Sequence, residues 1–196
     1  QQAQITVQDI KDWFDFALNY IGGIAGGKEA LMDPSRVFNA DETGFAIAGT
    51  AGGRKVKVLA AKGKKHVGRI AAATKEQVTV EACFNANGDF CPPYMVFAGQ
   101  RWSTHIDVNE FPEAYYGNTP NGWMNHLGFH GFIRKFEHWL STEKPEIKRP
   151  VVLFVDGHVS HIWLETCTFC RENGIILMGL LAGATYVLQP CDVGFN

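Results

Sequence analysis

"VVLFVDGHVSH", Val151–His161, decides the architecture. Val151 to Val155 are apolar at every position, and such a run fits a central strand covered on both faces. It stops at Asp156, with Gly157 and His158 behind it. A buried strand therefore delivers one carboxylate to its tip. In open α/β sheets, ligands gather at the carboxyl ends of strands.

Downstream, "HIWLETCTFCRENG" (161–174) reads as a helix ended by Gly174. "IILMGLL" (175–181) is a second doubly buried strand, and Pro190 suits the first turn of a last helix. Upstream, "GWMNHLGFHGFIRKFEHWL" (122–140) is an amphipathic helix. Its Phe129, Phe132, Ile133, Phe136, Trp139 and Leu140 follow the 3.6-residue period. Before it, residues 99–121 are rich in Gly, Pro and Asn and read as irregular.

"QVTVEACF" (77–84) alternates, with Val78, Val80, Ala82 and Phe84 on one side and Gln77, Thr79, Glu81 and Cys83 on the other. Asn87-Gly88 signals a hairpin that returns through "YMVFAG" (94–99), with Pro92-Pro93 delaying that strand's start. "RVFNADETGF" (36–45) predicts a short strand, Arg36 to Ala40, ending in Asp41-Glu42, with Thr43 and Gly44 shaping a turn. "VKVLAA" (56–61) is another candidate strand. At the N-terminus, Thr6 and Asp9 form a capping box ahead of Ile10, Trp13, Phe14, Ala17, Leu18 and Ile21 at helical spacing. "IGGIAGG" (21–27) ends that helix. The order of elements predicts an α/β fold, a mixed sheet with helices on both sides.

The composition is that of an ordinary globular chain, 46% hydrophobic and 19% charged. No apolar run reaches the 18 or so residues of a membrane span, so no membrane partner is expected. The five cysteines are odd in number and suggest no disulfide framework. The net charge of −2 hides an asymmetry. No Asp or Glu lies between Thr43 and Lys75. That stretch carries Arg54, Lys55, Lys57, Lys62, Lys64, Lys65, Arg69 and Lys75. A basic block on an otherwise acidic chain can attract phosphate; the competing reading is a solvated loop.

Three aspartates stand at predicted element ends: Asp41, Asp156 and Asp192. If the first strand runs parallel to Val151–Val155 and beside it, Asp41 and Asp156 share one edge and Asp192 swings in from the last helix. At about 4 Å and an effective dielectric near 20, each ionised pair costs roughly 4 kcal/mol. Protons or cations must relieve that repulsion. Mg²⁺ prefers oxygen ligands, and two such ions clamp the attacking and leaving oxygens of phosphoryl transfer. Cys167-x-x-Cys170 with His126-x₃-His130 has the residue types of a zinc site. Both pairs fall in predicted helices, whereas such cysteine pairs usually sit on turns, so the cysteines read as core.

"FNADETGF" (38–45), "VDGHVSH" (155–161) and "LQPCDVG" (188–194) resemble the three signatures of the DDE superfamily endonucleases, and within them the pogo/Tigger/Jerky-type transposases of the mariner-like superfamily. The resemblance covers nearly the whole chain in order. It implies an RNase H-like fold, a mixed five-stranded sheet flanked by helices, with the C-terminal helix truncated. Residues 1–35 would be a helical lead-in and 36–196 the catalytic domain, incomplete at its C-terminus and without the N-terminal DNA-reading module of such transposases.

By the same resemblance, Asp41, Asp156 and Asp192 are the catalytic, metal-binding triad, holding two Mg²⁺ or Mn²⁺ ions. Glu42, His158, His161 and Gln189 support them. Arg54, Lys55, Lys57, Lys62, Lys64, Lys65 and Arg69 are candidates for DNA contact. The implied activity is cleavage of transposon DNA ends and their joining to target DNA, in the nucleus, by a homodimer in a DNA complex. The alternative is a domesticated, non-catalytic DNA-binding or chromatin protein; the retained triad weighs against it. Where relatives carry a Pro-Pro-Asn-Thr-Thr-His-like run, this chain has "LLAGATY" (180–186), which predicts a less rigid approach to Asp192.

Overall fold

The computed structural model describes residues 5–46, 77–101, 111–158 and 161–194. The basic block, Val56–Ala61 and Ser160 lie outside them. The chain opens with α1 (Val7–Gly22), whose capping box forms as predicted: the Asp9 N–H donates to Thr6 Oγ1 at 3.2 Å and the Thr6 N–H to Asp9 Oδ2 at 2.8 Å. The glycine-rich stretch ends α1 and leads to α2 (Gly27–Leu31). A side chain at Gly27 would collide with the backbone carbonyl of Ile21, so the tight join between the two helices requires glycine there.

Six strands follow, with their helices: β1 (Val37–Ala46), β2 (Gln77–Asn85), β3 (Phe90–Ala98), β4 (Tyr115–Thr119), α3 (His126–Thr142), β5 (Val151–Val155), α4 (Leu164–Glu172), β6 (Ile175–Gly179), α5 (Thr185–Leu188) and α6 (Pro190–Gly194). The sheet order is β4-β3-β2-β1-β5-β6. β1–β2 and β2–β3 are antiparallel; β1–β5, β5–β6 and β3–β4 are parallel.

Helices cover both faces. The apolar stripe of α3, from Phe129 to Leu140, packs on Phe38, Ala40, Cys83, Val96, Val151, Leu153 and Val155. Phe38 meets Phe136 edge-on at 5.0 Å. Ala17, Ile21 and Ala30 of α1 and α2 cover Val152, Ile176 and Met178 on the other face. Val151, Val152 and Leu153 are fully buried, as the unbroken apolar run demands. Each large aliphatic or aromatic side chain so buried stabilises the fold by about 1.5–3 kcal/mol.

Four details differ from the sequence reading. Among the described residues the sheet has six strands, because Tyr115–Thr119, inside the stretch read as irregular, pairs with β3 from Tyr94↔Tyr115 to Ala98↔Thr119. Its Gly117 looks like a turn residue but gives room to the Tyr94 hydroxyl, which a side chain there would strike. β1 continues to Ala46, so Thr43 and Gly44 are ladder residues opposite Val80 and Thr79, and Asp41 sits inside the strand. Pro92-Pro93 do not delay β3. They lie opposite a register shift between Glu81 and Cys83, where a bulge absorbs two residues that lack a donor. On α1, Phe14 and Leu18 of the predicted apolar face are exposed, because the sheet beneath is reached mainly by Trp13, Ala17 and Ile21.

Candidate active site at the ends of β1 and β5

Parallel pairing of β1 with β5 sets Asn39 beside Phe154. Two residues further on, Asp41 and Asp156 reach the same end of the sheet. Side chains alternate along a strand. Phe38 and Ala40 enter the core under α3, so Glu42 belongs to that face. Asn39 and Asp41 belong to the opposite one, towards α5 and α6.

On Asp41's face, amides do the holding. Gln189, fully buried, donates from Nε2 to the Ala40 carbonyl at 3.1 Å. Its Oε1 accepts from Asn39 Nδ2 at 3.2 Å, and the same Asn39 nitrogen donates to the Phe154 carbonyl at 3.0 Å. Asn39 Oδ1 accepts the Cys191 N–H at 3.0 Å. Two carboxamides thus fasten the α5–α6 junction to β1 and bring Asp192, in the first turn of α6, towards Asp41. The looser approach predicted from "LLAGATY" is offset here: hydrogen bonds supply the fixation that prolines would give. Asn39 has no part in the sequence reading. An amide within an otherwise buried strand was its signal.

Asp41 is half-buried. Burial pushes its carboxyl up, and the negative charges of Asp192 and Asp156 add to the rise. Hydrogen bonds from the Glu42 N–H and from Gln189 oppose it, and the pKa reaches about 6. Asp192 and Asp156 thus both bear on the charge of Asp41. Among the described residues, no three His, Cys, Asp or Glu side chains stand close enough together to hold a metal ion.

On the other face, a charged group does the holding. His161, only 4% exposed, lies between Asp156 and Glu42. Its Nδ1 is 2.8 Å from Asp156 Oδ1 and its Nε2 is 3.2 Å from Glu42 Oε1. Phe129 flanks the ring at a centroid distance of 4.1 Å. Burial alone would lower the pKa of His161, but hydrogen bonds to Asp156 and Glu42, with the charge of Glu81, raise it to about 10. Burial works to raise the pKa of Asp156. The bonds from His161 and from the His158 N–H, the latter at 3.0 Å, outweigh it and hold the carboxyl below its usual range. His158 itself is exposed, its ring 6.1 Å from that of His161.

Glu81 was also missed. It stands directly opposite Glu42 on β2, is 1% exposed, and leaves Oε2 without a hydrogen-bond partner. Burial, followed by the neighbouring Glu42, drives its carboxyl well above the ordinary range. The alternation of β2 is as predicted, but α3 covers the side bearing Thr79, Glu81 and Cys83, so the polar set is the buried one. Like charges facing each other across a ladder destabilise it, and His161 is the counter-charge nearby.

The residues of zinc-site type do other work, and Cys167, read as core, is only half-buried. His126 and His130 lie edge-on to Trp163, and His130 Nδ1 is 3.1 Å from Thr166 Oγ1. Cys170 is in the core.

Residues 75–195 match the family model described as "DDE superfamily endonuclease". Asp156 and Asp192 fall within the match; Asp41 precedes it. Over 173 residues the chain is 30% identical to "MFS-type transporter clz9" of Cochliobolus lunatus, covering 85% of this chain but 18% of that protein. Among the described residues no helix is long and apolar enough to cross a membrane.

Among solved structures, the fold is similar to the Mos1 mariner paired-end complex with Mn, with TM-score 0.58 and 9% identity over 98% of this chain and 48% of that one. The Mos1 transposase paired-end complex with left transposon end gives 0.56 and 9% over 99% and 48%. The Mos1 mariner transposase catalytic domain gives 0.53 and 8% over 98% and 70%. The chain thus spans about half the length of the transposase chains in those complexes. At such identities the likeness is one of fold, the RNase H-like one.

Proposed function

The chain belongs to the DDE superfamily endonucleases, and from that premise we propose that it is the catalytic domain of a DNA transposase. It cleaves transposon ends and joins them to target DNA, with Asp41, Asp156 and Asp192 as its metal-holding carboxylates. The observation that carries this reading is the parallel pairing of β1 with β5, which sets Asp41 and Asp156 at one end of the sheet, with the segment bearing Asp192 bonded to β1 through Asn39 and Gln189. Asp41 and Asp192 carry hard oxygens on the same face, and a divalent cation would compensate their charge together with that of Asp156.

The donor set fits Mg²⁺ or Mn²⁺, since all three side chains offer hard oxygens. Two bound ions would stabilise the attacking and leaving oxygens of an in-line displacement at a phosphodiester. The chain's own residues supply placement. β1 and β5 fix the backbones of Asp41 and Asp156, and the Asn39–Gln189 pair fastens the segment bearing Asp192. Cleavage uses water as nucleophile and joining uses a DNA 3′-hydroxyl. The basic residues Arg54 to Arg69 contact the DNA backbone. The protein acts on nuclear DNA, as a homodimer on paired ends.

The test is nicking of supercoiled DNA by the purified chain with Mg²⁺ or Mn²⁺. Metal-dependent nicks that disappear in Asp156→Asn support the reading; nicking at full rate in that variant overturns it.

A further inference from the structure

His161 has no direct chemistry in the reading above, yet it is almost fully buried and its two ring nitrogens face two different carboxylates. Nδ1 lies 2.8 Å from Asp156 Oδ1, and Nε2 lies 3.2 Å from Glu42 Oε1. The ring has little freedom to tilt, because Phe129, itself fully buried, stands 4.1 Å from it. Glu42 is also confined: it is a ladder residue of β1, with buried Glu81 facing it across the strand pair.

Asp41 and Glu42 are adjacent on β1, so their side chains leave the strand on opposite faces. One strand therefore reaches the site twice. Asp41 enters it directly, and Glu42 reaches Asp156 through the imidazole. Asp156 lies just past the last residue of β5, Val155, where the ladder no longer fixes its side chain. The imidazole, with the His158 N–H at 3.0 Å from the same Oδ1, supplies what the ladder does not.

We propose that His161 is the positioning residue for Asp156 and that Glu42 acts through it, bracing the ring from β1. The inference rests on the metal-holding role proposed for Asp156. Groups that orient a metal-bound carboxylate by hydrogen bonding set affinity without touching the ion, and losing one typically weakens binding about 10–100-fold.

The experiment is titration of the metal-free chain with Mn²⁺ alone, without DNA, followed by electron paramagnetic resonance of free Mn²⁺. Circular dichroism and melting establish that each variant is folded. His161→Ala and Glu42→Ala are each expected to weaken Mn²⁺ binding about tenfold or more, whereas Glu42→Gln, which keeps an acceptor for Nε2, stays within about twofold of wild type. The double variant is expected to bind no more weakly than His161→Ala alone, since coupling through one partner is non-additive. Unchanged affinity in Glu42→Ala overturns the brace while wild-type binding leaves the metal site standing. Additive losses, or equal loss in Glu42→Gln and Glu42→Ala, also overturn it and make Glu42 a direct ligand. Should His161→Ala fail to fold, the partly exposed Glu42 pair decides alone. Absence of Mn²⁺ binding in the wild type is a separate failure, that of the metal-holding reading itself, and the brace falls with it.

Discussion

Asp192 and Asp156 are secured in opposite ways. The segment leading to Asp192 is held by amides: Asn39 and Gln189 bond each other, two backbone carbonyls and one backbone N–H. Asp156 is held by an ionisable ring between two acids. Neutral amides keep their donors and acceptors at any ordinary pH, whereas an imidazole between carboxylates depends on its proton. The fastening on one side of the site is thus insensitive to pH and that on the other is not, although both converge on β1.

The largest expected effect comes from removing a carboxylate outright. Asp156→Asn reduces metal-dependent nicking to background, as gel assays of supercoiled DNA will read. Next come the amides. Gln189→Ala and Asn39→Ala each strand buried partners, at about 1–3 kcal/mol per unsatisfied group, and chemical denaturation measures the loss. If both variants also lose nicking while Mn²⁺ still binds Asp156, the amide side is shown to place Asp192.

The pH contrast is smaller and sharper. His161 has a folded pKa of about 10, above its ordinary 6.5. Its stabilising contribution is complete below about pH 6.5 and is lost as pH rises through 10. The metal-free chain should lose stability across that alkaline window, and His161→Gln should flatten the loss. Gln189→Ala should shift the whole curve down without altering its slope there. Asp41 acts at lower pH. Its pKa of about 6 lies above the ordinary 3.8, so folding opposes its ionisation and stability falls as pH rises from about 4 to 6. Mg²⁺ should pull that titration down, which carboxylate NMR would follow. The smallest effect concerns the basic block. Reversing one charge among Arg54–Arg69 should weaken DNA binding modestly and lower the salt slope by about one.

Much of this molecule is legible in its sequence because its core elements carry strong periodic signals. Val151–Val155 admits little but a central strand, and the α3 stripe admits little but a helix across a sheet. Asp41, Asp156 and Asp192 were picked out by motif, and the β1–β5 pairing sets the first two at one end of the sheet. Position along the strand was not legible. Thr43-Gly44 looks like a turn, and only pairing with β2 keeps β1 extended past Asp41. β4 was hidden because Gly117 and Asn118 carry turn chemistry while serving a parallel edge. The buried polar face of β2 defied the rule that apolar residues face inward. Which face α3 covers is a tertiary choice, and no local pattern encodes it. Asn39 and Glu81 were missed for that reason: both matter through neighbours more than 100 residues away in one case and across a ladder in the other.

β1 extends five residues beyond Asp41, and its last residue, Ala46, is paired with the first of β2, Gln77. The two ends of the intervening stretch, basic block included, are thus moored as adjacent rungs at the rim of the carboxylate end. The rung at Ala46 and Gln77 therefore fixes the register of the sheet beyond Asp41, and with it the level at which that carboxylate stands.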